Sequence, residues 1–114
     1  MTTELKHTIG RRVRTARDDA KLTQELLAER IDRSPEAVSN IERGLSLPTL
    51  DTLDRIATTL GVPLVYFLDM PPDGLSPRRA EVEAKAQLVL RGLTDRDAEI
   101  ALGILELLRG GGPD

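Results

Sequence analysis

Signals that start and stop helices recur at short intervals along this chain, and they leave room for little besides short helices. Thr23 stands before "QELLAER", Ser34 and Pro35 before "EAVSNIE", Thr49 before "LDTLDRIATTL", Ser76 and Pro77 before "RRAEVEAKAQ", and Thr94 before "DRDAEIALGILELLR". Each hydroxyl can accept a hydrogen bond from an otherwise unpaired amide of the first turn, and a proline placed just after it gives up no helical hydrogen bond. Gly44 and Gly61 punctuate the other ends. A helix closes readily on a left-handed residue that lacks a Cβ. No segment alternates apolar and polar residues as a half-buried strand does, and no period of repeat-protein length is present. The expected fold class is all-α.

Apolar spacing sets the inward faces. From Glu4 to about Asp19, Leu5, Ile9, Val13 and Ala16 recur at steps of four and three, with Arg11, Arg12 and Arg14 facing elsewhere. Leu26, Leu27 and Ala28 point inward on the second helix, Ala37, Val38 and Ile41 on the third, and Leu50, Leu53, Ile56, Ala57 and Leu60 on the fourth. A short fifth helix is expected over "PLVYFLD". Because the apolar residues are nearly all aliphatic, the expected core is Leu, Ile, Val and Ala. The proline- and glycine-containing segment "MPPDGLS" then reads as a linker. Beyond it, Val82, Ala86, Val89 and Leu93 form a stripe on a sixth helix ending near Gly92, and a seventh helix carries more apolar surface than one narrow face. The expected organisation is a five-helix domain over 1–69, a linker over 70–76, a two-helix unit over 77–109 and a flexible tail over 110–114.

Composition excludes several classes of function. With 114 residues, 39% hydrophobic and 31% charged, the chain has the make-up of a small soluble domain without room for a large catalytic cleft. It has no cysteine and one histidine, His7, so neither thiolate chemistry nor an ordinary zinc site is expected. The carboxylates of "DRD" at Asp95 to Asp97 are explained by the start of a helix, where the macrodipole favours anions, and no catalytic set is expected. No cofactor or effector pocket is implied. No run approaches the length of a membrane span, and "MTTELKHTIGRR" has no apolar block of a secretion signal, so a cytoplasmic, nucleoid-associated protein is expected. The net charge of −3 argues against an indiscriminate polycation. Residues 1–70 hold ten Lys or Arg against eleven Asp or Glu, and residues 71–114 hold six against eight, so any nucleic-acid face must come from local placement.

Two short helices joined by "IDR" make a helix-turn-helix whose second helix runs from Ser34 to about Glu42. The stretches "IGRRVRTARDDAKLTQELLAERIDRSPEAVSNIERG" and "PTLDTLDRIATTLGVPLVYFL" resemble the Xre family of lambda-repressor and Cro-like helix-turn-helix proteins. Gln24, Ala28, Ile31, Val38 and Ile41 fall at that family's spacing. The resemblance implies a five-helix DNA-binding domain whose third helix enters the major groove. Arg33, Pro35, Glu36, Ser39 and Asn40 are then the candidates for reading bases, with Asn40 suited to adenine and Glu36 either to cytosine N4 or to the helix dipole alone. Thr23, Gln24, Arg43 and Arg12 are the candidates for phosphate. Arg17 and Glu42 match a pair that forms a structural salt bridge in family members. Two departures stand out: Asp32 occupies a turn position often held by glycine, and Leu45 and Leu47 occupy a loop where members often carry polar or basic residues.

The last two helices either fold back on the first unit or pair with a second chain, and the width of their apolar surface favours pairing. Val89, Leu93, Ile100, Ile104, Leu105 and Leu108 are the expected interface. The implied function is sequence-specific regulation of transcription, as a homodimeric repressor on a short palindromic operator. Its partners would be double-stranded DNA and a second copy of itself, with contact to a toxin or to RNA polymerase left open. The alternatives are an antitoxin or restriction-system controller with the same DNA-binding mode, and an interaction module that keeps the fold without binding DNA.

Overall fold

The computed structural model describes residues 2–70 and 74–110, so the middle of the expected linker and most of the expected tail lie outside the described residues. Seven helices follow one another: α1 Thr2–Asp19, α2 Gln24–Arg30, α3 Pro35–Glu42, α4 Leu50–Leu60, α5 Val65–Leu68, α6 Pro77–Arg91 and α7 Asp95–Gly110. The protein is all-helical, with no strand among the described residues. Five of the seven helices begin where a hydroxyl captures a first-turn amide. Thr23, Ser34, Thr49 and Ser76 each accept from the N–H three residues on at 3.1 Å, and Thr94 accepts from Asp97 at 3.2 Å. Each such cap stabilises its helix by about 1 kcal/mol and, by fixing the first turn, decides where the chain changes direction.

The core lies where α1 to α5 meet, with Val13, Leu27, Val38, Ile56 and Phe67 essentially sealed from solvent. α1 runs beside α3 and α5, and Gly10 is the reason it can approach α3 so closely. A Cβ at that position would run into the backbone carbonyl oxygens of Ile41 and Glu42. The aliphatic core expected from composition is incomplete in one respect. The chain's one tyrosine and one phenylalanine, Tyr66 and Phe67, are both buried, with ring centroids 5.5 Å apart in an edge-on arrangement at 70°. α5 is a single turn, and on so short an element two large rings supply apolar area that small aliphatic side chains cannot.

The sixth helix is oriented differently from its expected stripe. Ala84 and Leu88 point into the same core as α1 to α5, while Val82, Ala86 and Val89 are exposed. The helix has two apolar sides, and the smaller one docks because an alanine lets α6 come close to Tyr66, whose hydroxyl donates to the Ala84 carbonyl at 3.3 Å. α6 is therefore packed on α1. α7 extends beside α6 and buries none of its residues. The result is a molecule measuring 50 × 32 × 20 Å with a radius of gyration of 15.6 Å, against about 13 Å for a compact domain of similar length.

Candidate nucleic-acid interface

The turn into α3 is shaped by Asp32, whose φ of 59° puts it in the left-handed region that few side chains tolerate. Aspartate tolerates it better than most, and the conformation lets the Arg33 N–H reach back to the Ala28 carbonyl at 2.9 Å. Lys21 adopts the same conformation, at φ 60°, in the turn between α1 and α2, and nothing in the residue type signals that. At the far end of α3, Gly44 at φ 73° sends its N–H to Ile41, and the Leu45 N–H bonds the Asn40 carbonyl at 2.9 Å. A side chain on Gly44 would collide with the imidazole of His7, which lies against it. With Val38 and Ile41 buried, α3 leaves Pro35 and Glu36 exposed and Ser39 and Asn40 partly exposed.

Beneath α3 lies a charged clamp. Arg17 Nε and Nη2 bind Glu42 Oε2 and Oε1 at 2.6 and 3.0 Å, and Arg17 Nη1 donates to the Leu22 carbonyl at 2.8 Å. The Glu42 side chain is 3% exposed and that of Arg17 11%. The hydrogen bond to Glu42 raises the Arg17 pKa, burial opposes it, and the Glu42 and Asp18 charges add to the rise. Gln24 Nε2 donates to the same Glu42 Oε1 at 3.0 Å, which the sequence does not signal. An amide nitrogen carries two hydrogens, so this bond orients Gln24 and leaves one proton to donate outward. The clamp thereby ties α1, the start of α2 and the end of α3 into one rigid unit.

The other expected contacts fare unequally. Thr23 is exposed at the start of α2, and Arg43 is exposed at the end of α3. Arg33 is exposed but bends back, donating to the Asp32 carbonyl at 3.0 Å and to Thr52 Oγ1 at 3.4 Å. Arg12 is a correction. It is buried on the inward side of α1, where Nη1 donates to Gln87 Oε1 at 2.9 Å and the guanidinium lies 4.9 Å from the centre of the Tyr66 ring. It does not face solvent where a phosphate would approach. The periodicity put Arg12 off the apolar face because α6, which covers that side of α1, comes from far along the sequence. Leu45, Leu47 and Leu50 are exposed near α3, and the exposed Arg33 and Arg43 are offset by exposed Asp32 and Glu36. Of the expected interface residues, Val89, Leu93, Ile104 and Leu105 line an open groove of about 670 Å³ between α6 and α7, while Ile100 and Leu108 are exposed outside it. Among the described residues no cluster of three or more His, Asp or Glu is placed to hold a metal, and no helix is long and apolar enough to cross a membrane.

A helix-turn-helix family profile matches residues 13–67, the span from the middle of α1 to α5. A Rhodospirillum rubrum protein described as an uncharacterized transcriptional regulator in the ATPase CF(0) region is 40% identical over 76 residues, covering 61% of this chain and 70% of its own. The chain belongs to the lambda-repressor-like helix-turn-helix family of transcriptional regulators. The immunity repressor protein of Bacillus phage phi105 is 40% identical over 55 residues, 48% of this chain and 38% of that protein. Multiprotein-bridging factor 1 of Debaryomyces hansenii is 33% identical over 63 residues, 55% of this chain and 42% of its own. This helix-turn-helix protein thus spans less than half the length of either of those relatives. Among solved structures, the clp gene regulator ClgR from Corynebacterium glutamicum aligns over 92% of this chain and 93% of its own, with a TM-score of 0.55 and 23% identity. That likeness concerns the fold.

Proposed function

We propose that this helix-turn-helix protein is a sequence-specific DNA-binding regulator that acts as a homodimer, most simply as a repressor. The observation that carries the reading is α3: Ser39 and Asn40 stand partly exposed on a helix held at both ends, with its inner face locked by Val38, Ile41 and the Arg17–Glu42 pair. Asn40 donates to and accepts from adenine, Arg33 and Glu36 flank it, and Thr23, Gln24 and Arg43 hold phosphates at either end of the motif. The chain is weakly acidic, so one copy grips DNA poorly by charge alone. Two copies joined through α7 place two recognition helices in successive major grooves about 34 Å apart, and the second contact becomes an intramolecular one. The relative named as an immunity repressor supports repression as the output.

A titration of the protein against its own upstream DNA and a scrambled duplex, at two salt concentrations, tests this. Preference for the upstream duplex with a steep loss at higher salt is the expected result. Asn40→Ala should lower discrimination at one base pair by about 1–3 kcal/mol while leaving the helicity unchanged. Equal discrimination by the variant would remove Asn40 from the reading face. A second reading, an interaction module, draws on the exposed Leu45, Leu47 and Leu50 beside α3 and on the likeness to a protein named as a bridging factor. Under that reading, neither duplex binds at low salt.

A further inference from the structure

α6 buries only Ala84 and Leu88 of its fifteen residues, which leaves its apolar hold on the first five helices small and smooth. Its polar hold is neither. Gln87 of α6 uses both ends of its amide: its carbonyl accepts from Arg12 of α1 at 2.9 Å, and its NH2 donates to Asp69 Oδ2, at the end of α5, at 3.1 Å. Arg12 Nη2 lies 4.0 Å from the same Asp69 oxygen, and the Arg12 guanidinium stacks near Tyr66, which in turn bonds the Ala84 carbonyl. Lys85, also on α6, bonds Asp19 at the end of α1. Only one orientation of the Gln87 amide satisfies a cation on one side and a carboxylate on the other. A slide by one helical turn, about 5.4 Å, or a rotation by one residue would break every one of these bonds.

We propose that Arg12, Asp69 and Gln87 form a latch that fixes the angle of α6 on the DNA-binding helices and thereby sets the half-site spacing the dimer accepts. The inference rests on the dimeric DNA-binding reading above. α6 leads directly into α7, the expected dimer element, so any play at the latch is transmitted to the separation of the two α3 helices. The lever is long. Over the 50 Å length of the molecule, a tilt of about 4° moves the far end by about 3.4 Å, the rise of one base pair. Packing by an alanine and a leucine alone does not hold an angle that closely, whereas a Gln87 amide hydrogen-bonded on one side to the buried Arg12 guanidinium and on the other to Asp69 does. Arg12, Asp69 and Gln87 are thus positioning residues that touch no DNA.

The test compares the wild type with Gln87→Met and Arg12→Met, each verified as folded by its thermal melt. Gln87 is half-buried, not core, so its variant keeps the experiment decisive should Arg12→Met fail to fold. The probes are duplexes selected by the wild type from a random-sequence pool, rebuilt with one base pair added or removed between half-sites, and a single half-site duplex. The wild type should prefer its own spacing by about tenfold, and the variants should lose most of that preference with half-site affinity and dimer dissociation unchanged. A second arm uses no DNA. The chain has no native cysteine, so Glu25→Cys and Arg91→Cys take spin labels on α2 and α6 alone, and in spin-diluted samples the latch variants should broaden the measured distance distribution. An unchanged distribution overturns the latch whatever the DNA results. A broadened distribution with intact spacing preference overturns its role in spacing. A wild type indifferent to spacing, or monomeric, with a narrow distribution overturns the dimeric DNA reading and the spacing role with it.

Discussion

Val13, Leu27, Val38 and Phe67 in the first five helices expose essentially nothing, whereas Ile104, Leu105 and Leu108 on α7 expose 55%, 57% and 74%. Both regions are helical and both are rich in aliphatic side chains, so composition does not separate them. What separates them is partners. The first five helices close on one another because caps and glycines turn the chain every few residues. α7 is sixteen residues long, lies beside α6 and buries none of its residues. Exposed aliphatic surface of that extent marks an interaction surface. The first region is a closed, rigid core, and the second carries the unspent apolar surface on which the proposed dimer rests.

If that contrast is right, damage to one region should spare the other. The largest effect is expected at the clamp. Glu42→Ala strands the Arg17 guanidinium in a nearly closed site and should destabilise the protein by about 3–5 kcal/mol in urea or thermal unfolding, with self-association of the folded fraction unchanged. A loss below about 1 kcal/mol, the worth of a surface pair, would mean the site is wetter than the geometry indicates. Ile104→Asp should do the converse. A carboxylate in the apolar seam should weaken dimerisation on the order of a hundredfold by sedimentation, leaving the melt of the first five helices in place. A monomeric wild type, or an aspartate variant that associates as tightly, would break the comparison from the other side.

The unequal treatment of the two regions also explains what could be read from the residues alone. The caps Thr23, Ser34, Thr49, Ser76 and Thr94 act within four residues of themselves, so local chemistry suffices to place them. Asp32's place in the turn and the Arg17–Glu42 pair were legible through the family resemblance. Arg12 and α6 were not. Arg12 looks solvent-facing on a wheel of α1, and its burial depends on Gln87, 75 residues away. The inward choice of Ala84 and Leu88 over Val82, Ala86 and Val89 likewise depends on the shape of the notch beside Tyr66, which no periodicity encodes. Gly10 carries the same lesson: a glycine inside a helix costs stability, and only the position of the α3 carbonyls shows why one stands there. Local signals placed α3 and the caps around it, and the packing of α6 against α1 had to be seen.

The mildest prediction sits at the joint between the two regions. Tyr66 is buried beside α6, and desolvation raises its pKa above the ordinary 10.0, with Arg12 pulling the other way and the Asp19 charge adding slightly to the rise. The sign follows from linkage: the folded state holds the phenol proton more tightly than the unfolded state does. Its contribution to stability is therefore fully present below pH 10.0, the unfolded value, and is lost as pH climbs through the folded one. The chain has a single tyrosine and no tryptophan, so the phenolate absorbance reports this one group without interference. A native titration should show its midpoint above that of the urea-unfolded chain. Arg12→Met removes an opposing charge and should push the midpoint higher still, provided α6 stays docked. If α6 instead swings away, the ring becomes wet and the midpoint falls back toward 10.0. The direction of that one shift therefore reports whether the apolar contacts of Ala84 and Leu88 can hold α6 in place once the guanidinium is gone.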